Sequence, residues 1–146
     1  MSRRRLQSLL IDVLVVLTTV VAASAAQRPP IDEIVGEWRG SSICVDREAA
    51  PACTDEQVVY EIAATPGKPM AVTVKADKIV DGKRVPMGEL EFARDVKDGS
   101  WTTVIETPRV HAIWQLTVKG GAMTGTMRLL PSNAVVRKMD LRRPAA

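Results

Sequence analysis

The chain has 146 residues, of which 46% are hydrophobic and 3% are aromatic. It carries 20 Lys and Arg residues against 17 Asp and Glu residues, a formal net charge of +3. Three of the basic residues and one acidic residue fall within the first 26 residues, so the rest of the chain carries a net charge of only +1. This balance argues against nucleic-acid binding, which requires basic residues clustered on one face. The remaining residues, roughly 120 in number, suit one domain with a hydrophobic core.

The first 26 residues contain the three parts of a secretory signal peptide in the correct order. Arg3–Arg5 form a positive segment, Val13–Ala23 is apolar, and Ala23-Ser24-Ala25 matches the cleavage rule. A second match one residue later is the alternative cleavage site. We therefore predict that residues 1–26 are removed and that the protein is exported, to the periplasm or the extracellular space.

The alternative interpretation of this segment is an uncleaved membrane anchor. The stretch from Leu6 to Ala26 is about as long as a spanning helix, but Asp12 interrupts it. A carboxylate at the centre of a spanning helix costs roughly 2.5 to 3.5 kcal/mol on the insertion scale. We therefore expect no stable membrane insertion after cleavage.

From Ile34 onward, apolar residues recur at every second position, and each run ends at a cluster of Gly, Pro, Asn or Asp. This alternation is typical of half-buried antiparallel strands joined by tight turns. An extended leader is predicted at residues 27–34 and a β-barrel domain at residues 35–143. The predicted strands of this domain lie at residues 36–44, 56–64, 70–80, 85–94, 100–106, 109–119, 122–130 and 134–142.

Eight consecutive strands with short links predict an all-β fold, an eight-stranded antiparallel up-and-down barrel. Closure removes the exposed edges of the sheet, and eight strands leave an interior wide enough for side chains or one small ligand. A two-sheet sandwich is the alternative, but it usually needs longer crossing connections than this sequence provides. Little helix is expected, because no segment after the signal peptide sustains a 3.6-residue apolar repeat.

Cys44 and Cys53 are the two cysteines of the chain. An even number of cysteines in an exported chain predicts a disulfide bond, which here closes a short loop after the first strand. Closing such a loop removes roughly 2 to 3 kcal/mol of unfolded-chain entropy. A metal or redox pair is the alternative, but the spacing is not Cys-x-x-Cys and the single histidine, His111, lies far away in sequence.

Alternation also predicts which side chains face the interior. In the sixth strand, Trp114 and Leu116 share an apolar face, whereas His111 and Lys119 lie on the mostly polar opposite face. Large inward residues either fill a barrel of this size or line a cavity that is open at one end. Methionine tolerates varied ligand shapes, and an inward tyrosine hydroxyl needs a hydrogen-bond partner. The predicted ligand-binding residues are Tyr60, Val74, Phe92, Trp114 and Met127.

Gly36-x-Trp38 at the start of the first strand, a hairpin meander and an arginine on the last strand resemble the lipocalins and the wider calycin group of barrels. In that group the tryptophan closes one end of the barrel and the late arginine packs across its ring. The resemblance implies that Trp38 closes this barrel and that Arg137, with Arg142 as the alternative, stacks on the indole.

The chain departs from most lipocalins in two respects. It is shorter, stopping soon after the eighth predicted strand, and its cysteines lie in the first loop. Its size is closer to avidin-like, fatty-acid-binding-like and bacterial metalloprotease-inhibitor barrels. It also resembles small exported bacterial proteins, a resemblance that implies a compartment and a fold but no activity.

The sequence contains few groups suited to catalysis. A nucleophilic triad needs a base beside a serine or cysteine, but His111 lies on a polar strand face and Ser41 and Ser42 belong to no nucleophile motif. Glu89 and Glu91 form a local carboxylate pair that a solvated strand face explains. Histidine and cysteine are too few for a metal site, and no Gly-rich phosphate loop precedes a helix. We therefore predict a protein that is not an enzyme and uses no cofactor or metal.

Three functions remain. The preferred hypothesis is an exported protein that binds a small apolar or amphipathic ligand in the barrel. The second is a protein-binding module, such as an inhibitor of an exported enzyme, acting through the proline-bearing leader at residues 27–30 or through the disulfide loop. The third is a structural envelope protein. A hollow interior favours the ligand, whereas a packed interior with a free leader favours the inhibitor.

Overall fold

The computed structural model describes residues 30–145 of the chain, so the predicted signal peptide lies outside the described residues. The described part begins with one short helix, α1 (Pro30–Ile34), and continues with eight strands. These are β1 (Gly36–Cys44), β2 (Glu56–Ala64), β3 (Ala71–Val80), β4 (Lys83–Arg94), β5 (Trp101–Glu106), β6 (His111–Lys119), β7 (Ala122–Leu129) and β8 (Val135–Arg142). Within residues 30–145, no helix has the length and apolar character needed to cross a membrane.

The eight strands form a closed antiparallel barrel, in which each strand pairs with its neighbour in sequence and β1 pairs with β8. This confirms the predicted all-β up-and-down barrel. Residues two apart in a strand share a face, so the alternation of the sequence builds a continuous apolar interior. Fully buried members of that interior are Trp38, Val72, Phe92, Leu116 and Leu141.

The end of the barrel where β1 begins and β8 ends is called the closed end here. Helix α1 covers it, with the Ile34 side chain completely buried. The Trp38 indole Nε1 donates a hydrogen bond to the Ile34 carbonyl at 2.7 Å. Residues 30–34 are therefore a docked helix and not the extended leader that was predicted, because burying Ile34 stabilises the docked arrangement.

The arginine that stacks on Trp38 is Arg143, so the prediction of Arg137 or Arg142 was wrong. The Cζ atom of Arg143 lies 4.3 Å from the centroid of the Trp38 ring. Because β1 and β8 are antiparallel, the start of β1 meets the end of β8, whereas Arg137 lies opposite Cys44 toward the other end of the barrel. Arg142 extends into solvent, with its side chain 62% exposed.

The opposite end, called the open end, includes the β3–β4 hairpin. The turn residues Asp81 and Gly82 have φ values of 49° and 73°, both positive as in a type I′ hairpin turn. The ladder between β3 and β4 shifts register between Ala76, which pairs with Gly88, and Asp77, which pairs with Pro86. Among the described strand pairs, Met87 therefore has no partner residue on β3. Such a bulge bends a strand and re-aims its side chains.

Strands β4 and β5 pair over a short length. In the described part of the chain, their ladder consists of Ala93 with Thr102 and Arg94 with Trp101, at the end of β4 and the start of β5. Both strands continue beyond this ladder toward the open end. The barrel wall therefore has a gap between β4 and β5 on that side.

The predicted disulfide is confirmed: Cys44 and Cys53 are bonded, with their Cα atoms 6.0 Å apart. The bond closes the β1–β2 loop at the open end. Asp55 Oδ1 accepts a hydrogen bond from the Cys44 amide at 2.8 Å, and Arg47 Nη1 donates to the Cys53 carbonyl at 2.9 Å. These contacts fix the loop immediately before Glu56, the first residue of β2.

Candidate functional site

A cavity of about 520 Å³ lies in the open half of the barrel. This volume falls within the roughly 300–1,000 Å³ found for small-molecule sites. All eight strands contribute to its lining, which consists of Ser42, Glu56, Tyr60, Val74, Ala76, Met87, Gly88, Glu89, Leu90, Phe92, Ile105, Trp114, Met127 and Arg137. The interior is therefore hollow at this end of the barrel.

The structure brings together all five side chains that were predicted to bind a ligand. They come from β2, β3, β4, β6 and β7, and each lines the same cavity. Tyr60 and Val74 are 1% exposed and Phe92 is completely buried. These residues thus form an ordered wall, while their role in binding stays a prediction.

Trp114 contacts two other aromatic rings in this wall. Its ring centroid lies 5.6 Å from those of Tyr60 and Phe92, with an interplanar angle of 73° to each. This is the edge-to-face arrangement that aromatic pairs prefer. Within residues 30–145, the Trp114 Nε1 is the one buried side-chain nitrogen or oxygen atom without a hydrogen-bond partner. Because buried donors are nearly always paired, this unpaired N–H is an exception that a bound molecule would explain.

An ion pair forms the polar side of the cavity, and sequence reasoning missed it. Arg137 Nη1 donates to Ser42 Oγ at 2.8 Å and lies 3.2 Å from Glu56 Oε2. The Arg137 and Glu56 side chains are 14% and 17% exposed. The prediction that Arg137 packs on Trp38 was wrong because this guanidinium belongs to the cavity wall.

Strand alternation places these polar side chains in the interior, although it does not show that they meet. Ser42 follows Trp38 by four positions in β1, and Glu56 precedes Tyr60 by four positions in β2, so both occupy inward positions. Charged residues are almost never fully buried unless paired. A carboxylate and an arginine at inward positions of a barrel therefore indicate a pair in its interior.

The Tyr60 hydroxyl is kept neutral by its surroundings. Burial raises the pKa of Tyr60 well above its usual value; Arg137 opposes this shift and Glu56 adds to it. A neutral phenol both donates and accepts hydrogen bonds. The cavity thus combines an apolar wall with uncharged polar groups, the Arg137–Glu56 ion pair and the more exposed carboxylate of Glu89.

The gap between β4 and β5 leads to the cavity. Residues 87–90 of β4 line the cavity on one side of this gap, and Ile105 of β5 lines it on the other. Met87, at the bulge, is 41% exposed, and the Glu89 side chain is 55% exposed. The rim therefore offers both an apolar thioether side chain and a carboxylate to an entering molecule.

The other polar residues singled out in the sequence lie in solvated positions. His111 is exposed at the start of β6. Glu91 pairs with Lys68 at 2.8 Å, and Glu89 at the cavity rim lies 3.9 Å from Lys75, with both carboxylate side chains more than 40% exposed. Residues 30–145 contain no group of three or more His, Cys, Asp or Glu side chains suited to holding a metal ion.

Comparisons with known proteins support the fold. No protein-family model matches the sequence, and no curated protein matches it. Among solved structures, a redesigned β-barrel is similar over 80% of this chain and 96% of its own, with 18% sequence identity and a TM-score of 0.56. A variant of the fluorescent protein UnaG is similar over 80% of this chain and 99% of its own, with 13% identity and a TM-score of 0.45. The similarity to the redesigned barrel supports a β-barrel fold for this chain.

Proposed function

We propose that this protein binds a small apolar or amphipathic molecule in the barrel cavity and does not change it chemically. The observation that carries the proposal is the hollow interior of about 520 Å³. A barrel whose only role is structural has no need of such a space, because filling it with side chains adds packing and stability. Of the leader that the inhibitor hypothesis invokes, Pro30 begins the helix on the closed end, and residues 27–29 lie outside the described residues.

The lining suits a ligand with an apolar body and a polar group. Val74, Leu90, Phe92, Ile105 and Met127 provide the apolar part, and Tyr60 and the Arg137–Glu56 pair provide the polar part. Transfer of apolar ligand surface from water contributes about 25 cal/mol per Å², so a buried area of about 200 Å² contributes about 5 kcal/mol before the costs of association. The few polar groups then select and orient the ligand.

Binding without catalysis is the reaction class that these groups support best. The carboxylate of Glu56 is engaged by Arg137, and the Tyr60 phenol stays protonated. His111, the one histidine of the chain, is exposed and is not part of the lining. Among the described residues, the lining includes no histidine, cysteine or lysine, the usual bases and nucleophiles beside carboxylates.

Export is part of the same proposal. The Cys44–Cys53 disulfide is compatible with an oxidising compartment, and the first 26 residues have the pattern of a signal peptide. Intact-mass measurement on protein recovered from the periplasm or medium should give a chain that begins at Ala26 or Gln27. A chain that retains residues 1–25 would contradict cleavage.

Uptake of a neutral fluorescent dye, N-phenyl-1-naphthylamine, tests the binding proposal. The wild-type protein should enhance the dye's fluorescence, and Val74→Trp should abolish the enhancement because the larger side chain occupies the cavity. Circular dichroism should show that the Val74→Trp barrel is folded. Lys119→Ala, an exposed change outside the lining, is the matched control and should bind the dye as the wild type does. Absence of dye uptake by the wild type would overturn the proposal.

A further inference from the structure

We propose that the ligand is an uncharged molecule with a hydrogen-bond acceptor on an apolar body, and that the cavity discriminates against carboxylates. This inference rests on the proposed function and names the class of ligand for the same cavity. Two groups of the wall carry it: the guanidinium of Arg137 and the indole N–H of Trp114.

Four of the five N–H bonds of the Arg137 guanidinium are already engaged by the protein. Nη1 faces three acceptors, the Ser42 carbonyl at 3.3 Å, Ser42 Oγ at 2.8 Å and Glu56 Oε2 at 3.2 Å. Nη2 faces two more, the Thr54 carbonyl at 2.9 Å and Cys53 Sγ at 3.2 Å. A ligand carboxylate that approached Nη1 or Nη2 would have to displace one of these partners. With the Nε–H alone it could not form the bidentate pair that makes arginine a strong carboxylate site.

The charges of the lining also disfavour an anion. Arg137 is the basic residue of the lining, whereas Glu56 and Glu89 are both acidic. Glu56 Oε2 lies 3.2 Å from Arg137. The further cations beside these carboxylates, Lys78 at 4.0 Å from Glu56 Oε1 and Lys75 at 3.9 Å from Glu89 Oε2, are 39% and 65% exposed and lie outside the lining. A carboxylate bound in the cavity would therefore meet no uncompensated cation among the described lining residues. Burying such a charge is costly, and a like charge nearby increases the cost. An uncharged ligand avoids both penalties.

The Trp114 indole has the opposite property, a donor without an acceptor. Trp114 lines the cavity, is 8% exposed and has an unpaired Nε1. An acceptor on the ligand would recover the hydrogen bond that this N–H lost on burial. Met127, which pairs with Trp114 across the β6–β7 ladder and also lines the cavity, has a flexible thioether side chain that can move aside for the acceptor.

Three probes with the same pair of phenyl rings separate these requirements: benzophenone, with a carbonyl bridge; diphenylmethane, with a methylene bridge; and diphenylacetate, with a carboxylate on the bridge. Equilibrium dialysis gives the dissociation constant of each. For the wild type, benzophenone and diphenylmethane should both bind, and diphenylacetate should bind at least about tenfold more weakly than either.

Trp114→Phe tests the acceptor requirement, because it keeps an aromatic ring and removes the N–H. It should weaken benzophenone binding relative to diphenylmethane binding by about fivefold, the value of one hydrogen bond. The matched control is Trp101→Phe, a buried tryptophan outside the lining, which should not alter the ratio of the two constants. In the wild type, the Trp114 indole ¹⁵N–¹H resonance should move on adding benzophenone and should move less with diphenylmethane.

Glu56→Gln tests the charge argument, because it removes the carboxylate that compensates Arg137. It should strengthen diphenylacetate binding relative to benzophenone binding by about tenfold. Glu91→Gln, which changes an exposed carboxylate outside the lining, should affect neither probe.

Failure of this inference differs from failure of the proposed function. If diphenylmethane and the dye bind but diphenylacetate binds equally well, or the Trp114 resonance is unmoved by benzophenone, the ligand class is wrong and the binding proposal stands. If neither the dye nor any of the three probes binds the wild type, both are overturned.

Discussion

The guanidinium of Arg143 lies over the indole of Trp38, with Cζ 4.3 Å from the ring centroid. Its Nη1 donates to the Val35 carbonyl at 3.0 Å, and its Nη2 donates to the Glu33 carbonyl at 2.7 Å. One side chain thus joins the end of β8, the segment before β1 and the tryptophan that fills the closed end. A planar cation that stacks and donates from two nitrogens is needed for this combination of contacts.

Arg143→Lys should therefore lower the free energy of unfolding by about 1 kcal/mol, because an ammonium cannot reproduce the stacked fork. Urea denaturation measures the change. Arg142→Lys is the matched control at the neighbouring position, where the side chain is 62% exposed, and should change stability by less than about 0.5 kcal/mol. Equal effects of the two substitutions would show that the stacking contributes nothing.

Tyr60 should remain protonated in the folded barrel at pH values where a free tyrosine ionises. Burial raises its pKa, so its contribution to stability is fully present below about pH 10, the unfolded value. It is lost as the pH rises from there toward the higher folded pKa, because the unfolded chain then binds fewer protons than the native one. Tyr60 is the one tyrosine of the chain, so the ultraviolet absorbance of tyrosinate reports on it alone.

The control for this titration is the chain unfolded in urea, whose tyrosine should ionise near pH 10. Tyr60→Phe should lose less stability than the wild type as the pH rises above about 10, because the group that ionises on unfolding is absent. Ionisation of the folded wild type at about pH 10 would contradict the burial of this hydroxyl.

Replacing both Cys44 and Cys53 by serine should lower stability by about 2 to 4 kcal/mol, through the greater entropy of the unfolded chain. Denaturation of the oxidised protein and of the double variant measures this difference. A reducing agent should destabilise the wild type by a similar amount and leave the double variant unaffected. Two titratable thiols in the folded exported protein would be inconsistent with the bond.

Gly40 lies at the seam where β1 closes onto β8. A Cβ atom at this position would overlap the carbonyl oxygen of Asp140 and lie 2.8 Å from the Leu141 Cα. Gly40→Ala should therefore force the strands apart and cost about 1 to 3 kcal/mol. Gly121→Ala, where a Cβ would meet nothing within 4 Å, is the control and should be nearly neutral in thermal denaturation. If Gly40→Ala left the thermal stability unchanged, β1 and β8 would be less tightly packed at this seam than the structure shows.

Strand positions were predictable because alternation and turn residues act locally. The predicted bounds of β1 and β2 coincide with Gly36–Cys44 and Glu56–Ala64. Strand β4 begins two residues earlier than predicted, since the two-residue turn at Asp81 and Gly82 lets Lys83 pair at once with Val80. The inward position of Tyr60 and the other predicted cavity residues follows from the same local rule.

What alternation does not give is the height of a side chain along the barrel axis. That height depends on strand register, and the register between β1 and β8 joins residues far apart in sequence. Arg137 reaches Ser42 across 95 positions, and no local pattern records that contact. Without the register, Arg137 was predicted to lie on the Trp38 ring. The cavity depends on the same information, because it is lined by inward side chains that lie at similar heights along the barrel axis.

The contact between Arg143 and the carbonyls before β1 has a consequence for chain connectivity. It places the segment entering β1 beside the segment leaving β8, so a short flexible linker can join them. A circularly permuted chain opened in the β4–β5 connection would keep every strand ladder except the one with only two residue pairs. Because the cavity is built by the order of strands around the barrel, such a permutant should still take up the dye, with its new termini at the closed end, beside the short ladder of β4 and β5 and away from the cavity.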